Sequence, residues 1–504
     1  MNFKELKNNI VSIIPDNLYF YINKSNFNYG ITKKLYRVNK EIPKDIKTKK
    51  KILITPFRVQ EPQLLEGIIG TSLYIRGVAP TYYLCEKKCK NCDNFTINSM
   101  TIPCNGCYKN TKLFKKIFPG AHINPELILS FKKINEIKEL SEKKTLEEIF
   151  RYKINDFDLG TIVLSSIKRY FLSESIPKDQ KKIIRSYFYT ALINYYVAKK
   201  LVKEYDYLLT SHGVYVSWGV IAEVFYKNGK NVVTWGRGYR GNTVVLSHDY
   251  TYHKGLLFEN DKCWQNLNLN KKMLVKLKEY MDSKKYGSND FVAYNAGKNT
   301  NKDYILEKLK IDKNKKTIVL FTNVVWDASV AFTKDPFGGM YNWLLETIDY
   351  FSKKKNLQLI IRVHPAETIK NNPTRSTVEK AADVIFKKYE RLPDNIKIVD
   401  SEHNKDISSY GLFEIMDAAI IYGSKIGVEL TYYDIPTIVA GEAFCKNKGF
   451  TFDVSSKKEY YKYLDKITDL KMSEKQENLA KKYAYYYNFI RLNDIDILEY
   501  EGKR

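Results

Sequence analysis

Four stretches decide the fold: KKTIVLFTN (315–323), LQLIIRVHPAE (357–367), AAIIYGSKIGVEL (418–430) and IPTIVAGE (435–442). Each opens on an uninterrupted apolar, β-branched run and breaks at polar or small residues. Between them lie NWLLETIDYFSKK (342–354), VEKAADVIFKKYERL (378–392) and IGVELTYYD (426–434), whose apolar positions recur at helical spacing. Apolar runs alternating with amphipathic helices describe strands covered on both faces, which is a parallel sheet. The same grammar runs earlier through KILITPFR (51–58), EPQLLEGIIGTSLYIRG (61–77) and APTYYLCE (79–86), and again through DYLLTS (206–211), GVIAEVFYKNG (219–229) and NVVTWG (231–236).

The expected fold class is therefore α/β, with two Rossmann-like parallel-sheet lobes, a Cys-rich insertion and C-terminal helices. The boundaries read as a lead-in over 1–48, an N-terminal lobe over 49–266 with the insertion at 85–107, linker helices over 267–314, a C-terminal lobe over 315–470 and a C-terminal helix over 471–504.

At 504 residues the chain is long enough for two cores, and 44% hydrophobic content with only 24 Gly and 14 Pro excludes a disordered or collagen-like chain. Lys and Arg number 83 against 57 Asp and Glu, a net charge of +26. Of the cations 13 are Arg and 70 are Lys, spread along the chain, so a dedicated nucleic-acid tail is not expected and no nucleic-acid partner is assigned. No apolar stretch approaches the roughly 18 residues that span a bilayer, and the start MNFKELKNNIVSIIPDN breaks too soon for a secretory signal. The expected location is cytoplasmic, with seven Cys as reduced thiols or metal ligands.

In parallel sheets ligands gather beyond the carboxyl ends of the strands. In the C-terminal lobe those positions hold Thr322, Asn323 and Asp327; Arg362, His364, Pro365 and Glu367; and Tyr422, Gly423, Ser424, Lys425 and Glu429. Arg362 is placed to take a phosphate bidentately and His364 to donate to a leaving phosphate oxygen. The turn Gly423-Ser424-Lys425 opens a helix whose free N–H groups suit an anion, and Glu429 suits ribose hydroxyls. Earlier strand ends carry His212 and Tyr215, then Arg237, Tyr239 and Arg240, then His248 and His253, the aromatic, basic and hydrogen-bonding groups that a sugar acceptor needs. Glu61, Glu66 and Asp327 are the candidates for deprotonating an acceptor hydroxyl. Cys89-x2-Cys92 and Cys104-x2-Cys107, with Cys85 just ahead, have the spacing of a tetrahedral structural zinc site, against plain reduced thiols or an iron–sulfur cluster. Cys263 and Cys445 stand alone and read as packing residues.

TNVVWDA (322–328), IRVHPAE (361–367), IIYGSKIGVELTYYDIPTIVAGEAF (420–444) and NKGFTFD (447–453) resemble the C-terminal half of bacterial capsule polysaccharide biosynthesis proteins. SHGVYVSWGVIAEV (211–224), VVTWGRGYR (232–240) and SHDYTYH (247–253) resemble the N-terminal half of the same family. That family is similar to the capsule Kdo transferases, and it shares an HP motif with sialyl- and polyol-phosphate transferases of the GT-B fold. The resemblance implies that His364 and Pro365 bind the donor phosphate, with Ser424 beside it and Glu429 on the nucleotide ribose.

The expected function is transfer of a sugar, with a CMP-linked acid such as Kdo favoured, from a nucleotide donor to a growing glycan or glycolipid. No DxD motif sits in a suitable loop, so no catalytic cofactor is expected. Peripheral association with the inner membrane face or a capsule assembly machinery would suit the charge. The alternatives are a phosphotransferase using a CDP-linked donor, which acceptor-product mass would distinguish, and a non-catalytic assembly or export protein that binds polymer without nucleotide.

Overall fold

The computed structural model describes residues 29–57, 60–99, 104–177, 179–328, 335–369 and 375–495. Most of the 1–48 lead-in and the Glu61 side chain lie outside the described residues. The chain forms two compact units.

The first unit takes the described residues through Ile167, those from 179 to Trp235, and Ser247–Thr251. Its parallel strands are β1 (Lys50–Thr55), β2 (Val78–Tyr83), β3 (Ala121–Ile123), β4 (Tyr207–Ser211) and β5 (Asn231–Arg237). They stand in the order β5-β4-β1-β2-β3. The helices of this unit include α1 (Gln60–Ile75), α2 (Cys104–Ile117), α3 (Lys181–Leu201) and α4 (Gly219–Lys227). α3 is the central prop, burying thirteen of its residues, and its Asn194 joins Tyr83 Oη (2.8 Å) to the Val216 carbonyl (2.6 Å).

The second unit holds Lys168–Pro177, Gly236–Leu246 and everything from Tyr252. Its sheet is built from β6 (Lys316–Phe321), β7 (Leu357–Arg362), β8 (Ile396–Val399), β9 (Ala418–Ile421), β10 (Thr437–Val439) and β11 (Phe452–Asp453). The order is β8-β7-β6-β9-β10-β11, parallel throughout. The chain thus winds outward from β6 through β7 and β8, then returns to β9 and winds the other way. The winding reverses between the neighbouring strands β6 and β9, and their carboxyl ends mark the switch point of the sheet. Around the sheet lie α5 (Lys271–Lys284), α6 (Met340–Ser352), α7 (Ala381–Lys388), α8 (Ile426–Tyr432) and α9 (Glu474–Tyr485). Gly427 lets α8 approach closely, because a Cβ there would meet Cys445 Sγ at 2.6 Å and Ile421 Cδ1 at 2.6 Å.

The α/β class and both sheets agree with the sequence reading, whereas the boundaries differ. Residues 252–266 belong to the second unit because Trp264, fully buried, packs edge-on to Tyr483 (5.1 Å) and Phe450 (6.1 Å). The expected linker over 267–314 is also part of this unit, since Leu277, Met281 and Ile305 enter the same core. Tandem aromatic contacts of this range leave no trace in local periodicity. Cys445 is buried packing as expected, but Cys263 is exposed. Among the described residues no helix is long and apolar enough to cross a membrane.

Candidate functional site

The loops that leave β6, β7 and β9 share one edge of the second sheet. Thr322, one residue past β6, accepts the His364 backbone N–H on Oγ1 (2.9 Å) and donates its own N–H to the Arg362 carbonyl (3.1 Å). These bonds tie the ends of β6 and β7 together and fix where the imidazole starts. His364 caps the short turn Pro365–Glu367, with Nδ1 accepting the Ala366 N–H at 3.1 Å. Burial, then the charges of Arg362 and Lys425, push its pKa down to about 4, against a smaller opposing pull from Asp327. The ring is therefore neutral near pH 7. Because Nδ1 is an acceptor, the ring proton sits on Nε2, which makes His364 a hydrogen-bond donor. Tyr294 packs edge-on against it at 5.6 Å.

On the other side of the switch point Gly423 sits in a close approach. A Cβ there would meet the Glu442 carbonyl at 3.0 Å and lie 3.7 Å from Asn323 Oδ1. That Asn323 oxygen is buried and finds no hydrogen-bond partner among the described residues. Ser424 Oγ accepts the Ile426 N–H at 3.4 Å. Lys425 lays its ammonium 4.3 Å over the Tyr239 ring and 3.6 Å from Glu429. Burial, then the neighbouring Lys284, hold its pKa below the ordinary lysine value. Asp327 is exposed and pairs with Arg169 at 3.0 Å, whose guanidinium lies 5.5 Å from the Trp326 ring.

Several expected ligands have other work. Arg362 is 1% exposed, with Nε on Ser409 (2.8 Å) and Nη1 on the Val399 carbonyl (3.3 Å), while its Nη2 is buried and finds no hydrogen-bond partner among the described residues; its charge acts on His364 from within the fold. Glu367 is buried, receives the Ala381 N–H at 2.9 Å at the start of α7, and is pushed up to about 7 by burial. α8, which opens at the Gly423-Ser424-Lys425 turn, spans only seven residues. Glu429, expected on a ribose, is buried and takes the Tyr410 hydroxyl at 2.7 Å. Tyr422 packs on Trp343 at 5.2 Å.

Behind the site is a buried charge network. Lys284 is 2% exposed and pairs with Asp290 (3.0 Å) and Glu429 (3.4 Å), with its ammonium 4.5 Å from the Tyr280 ring. Burial alone would lower its pKa, but Glu429, Tyr280 and Asp290 outweigh burial and hold it above the ordinary range. Two carboxylates and two ammonium groups balance here, so Glu429 stays neutralised by Lys284 if Lys425 turns to another anion. Lys284, Asp290, Tyr294 and Tyr410 went unnoticed in the sequence because their contacts span long separations.

The residues expected to meet an acceptor divide between the units. In the second unit Arg237 lies 4.8 Å over Phe291, and His253 packs on Tyr252 at 4.1 Å. Arg240 reaches Asp494 (2.7 Å) and the Asn488 carbonyl (3.2 Å), with Nη2 buried and without a hydrogen-bond partner among the described residues. In the first unit His212, with φ of +51° followed by Gly213 at +68°, turns the chain sharply after β4. This places its ring 5.7 Å from Phe57, which stacks on Trp218 at 5.0 Å. Phe57 lies two residues past β1, where the same rule that found His212 points, whereas Trp218 stands at the start of α4. Tyr215 is core at 1% exposure, and His248 is exposed. Glu66 is fully buried and receives the Trp235 indole N–H (2.8 Å) and the Phe57 N–H. Burial pushes it up to about 8, so the carboxyl is mostly protonated near pH 7.

The Cys89/Cys92/Cys104/Cys107 set is not assembled as expected. Cys104 and Cys107 open α2 rather than forming a second loop knuckle, and among the described residues no three His, Cys, Asp or Glu side chains are grouped to hold a metal ion.

No known protein-family profile matches the chain. No curated protein matches it in sequence at a significant level. Similar solved structures include two from Thermosulfurimonas dismutans, KpsC beta Kdo 2,4 transferase and KpsC beta Kdo 2,7 transferase. The first has a TM-score of 0.36 at 10% identity, covering 55% of this chain and 79% of that one. The second has a TM-score of 0.33 at 15% identity, covering 57% and 79%. A trehalose-6-phosphate synthase is similar with a TM-score of 0.30 at 12% identity, covering 88% and 96%.

Two outcomes follow from this geometry. The His364 ring, identified in NMR spectra by its loss in His364→Ala, should titrate near pH 4, and a midpoint near 6.5 would mean that the ring is solvated. Lys284→Met should destabilise the second unit by about 3–5 kcal/mol, since it strands buried carboxylates. Adding Glu429→Gln should recover part of that loss in denaturant unfolding, and no recovery would dissolve the network.

Proposed function

We propose that the chain is a glycosyltransferase that holds a nucleotide-activated sugar at the switch point of the second unit. The observation that carries this reading is the neutral His364 imidazole, its Nε2–H free to donate by virtue of the Nδ1 bond to Ala366. It stands with Lys425 where the ends of β6, β7 and β9 converge. As the bond from the anomeric carbon to the phosphate oxygen breaks, negative charge collects on the departing phosphate. A donor N–H and a nearby ammonium, aimed beforehand in a partly buried site, stabilise that charge without reorganisation. The electron pair leaves with the nucleotide, and the acceptor hydroxyl gives its oxygen to the anomeric carbon and its proton to a base. Asp327 is the exposed carboxylate nearest in electrostatic influence to His364, and it would take that proton after exchanging its Arg169 partner.

The sugar we favour is an acidic one on CMP, such as Kdo, and the acceptor a capsule or other surface glycan or glycolipid, in keeping with the resemblance of the IRVHPAE and YGSKIGVE stretches to capsule biosynthesis proteins. The net charge of +26 suits an anionic glycolipid or the cytoplasmic membrane face as the place of work.

Thermal unfolding with CMP, CDP, UDP, GDP and their sugar conjugates tests the reading. A ligand at 100 times its Kd stabilises by about 2.7 kcal/mol, a shift of a few degrees for a domain of this size. One nucleotide should stand out, and His364→Ala should lose most of the shift. No shift with any of them at millimolar concentration would overturn the proposal in favour of a polymer-binding role.

A further inference from the structure

The cysteines of the first unit take no part in this chemistry, yet the fold gathers them. Cys85, Cys92, Cys104 and Cys107 line one pocket together with Glu86 and Tyr108. Two of these thiols come from the irregular segment that follows β2. The other two sit three apart in the first turn of α2 and so share a helix face. That turn carries no acidic residue, and the N–H groups at a helix start favour a thiolate over a thiol.

Cys89, which spacing alone pairs with Cys92, is not on the pocket wall. It is buried, and its backbone N–H donates to Cys85 Sγ at 3.4 Å. A hydrogen bond of this kind to a ligand sulfur is an outer-shell contact that orients the ligand and steadies its charge. The ammonium groups of Lys87 and Lys112 lie 5.0 and 4.9 Å over the Tyr108 ring, at the edge of the same pocket. Four thiolates around a divalent ion leave a net charge of two minus, which these lysines would offset.

We propose that Cys85, Cys92, Cys104 and Cys107 form a four-thiolate site for zinc, with Cys89 supporting Cys85 from its backbone. No three of the sulfurs are grouped for coordination as they stand. Binding therefore draws the post-β2 segment and the start of α2 inward, the behaviour of sites whose assembly is linked to local folding. Four protein ligands leave no open position, so the ion staples the segment to the helix and takes no part in transfer. Each thiol loses a proton on binding, and no redox step is involved.

The test is metal analysis of the full chain purified without chelator or immobilised metal. About one zinc per chain is expected. Replacement by Co2+ should give the visible bands of a tetrahedral thiolate site, with an intensity that counts four sulfurs. Cys89→Ser should keep the ion, whereas Cys85→Ser should lose it. If Cys85→Ser does not fold, the wild-type cobalt spectrum and Cys89→Ser still decide. A chelator should lower the melting temperature of the wild type, and added zinc should restore it. Wild-type protein that neither carries zinc nor takes it up would overturn the proposal, as would loss of the ion from Cys89→Ser.

Discussion

Lys316–Phe321 is hydrogen-bonded in parallel to Leu357–Arg362 on one side and to Ala418–Ile421 on the other, and the site depends on that arrangement. Parallel strands deliver their following loops to one edge of the sheet, so the loops carrying Thr322, His364 and Ser424 must meet. The chain winds away from this central strand in opposite directions, so the loops after it and after its two neighbours diverge at the switch point. Their meeting is thus a consequence of connectivity. Gly423 and Gly427 stand where a Cβ would meet the Glu442 carbonyl and Cys445 Sγ.

The polar side chains at this edge divide by what they are bonded to. Arg362, Glu367 and Glu429 are buried and bonded to Ser409, Ala381 and Tyr410, and these bonds hold the site in shape. His364 spends one ring nitrogen on its own turn and keeps the other for donation. Lys425 shares Glu429 with Lys284, which leaves the carboxylate balanced when Lys425 turns elsewhere. Unpaired buried charge is costly, and this division is how a fold carries a cationic site without stranding its counter-ions.

The strands and their order of appearance were legible because a parallel sheet buries both faces and writes continuous apolar runs. The edge where the chemistry gathers was legible for the same reason. Side-chain direction was not. Arg362 is the last residue of its strand, and whether it faces the loop or packs on Ser409 depends on a partner 47 residues away. Residues 252–308 read as the end of one lobe and a linker, because the aromatic contacts of Trp264 with Phe450 and Tyr483 lie far apart in sequence. Likewise the spacing of the Cys pairs points to Cys89, whereas the turn after β2 puts Cys85 on the pocket.

Amide hydrogen exchange, followed by mass spectrometry with and without a stabilising nucleotide, reports most directly on whether the switch point of the second sheet is where the donor sits. Protection is predicted over residues 322–328, 363–367 and 422–428, with the opposite edge of that sheet unchanged. Protection confined to the loops after β1 and β4, or exchange unaltered across all three segments while the nucleotide is bound, would contradict it.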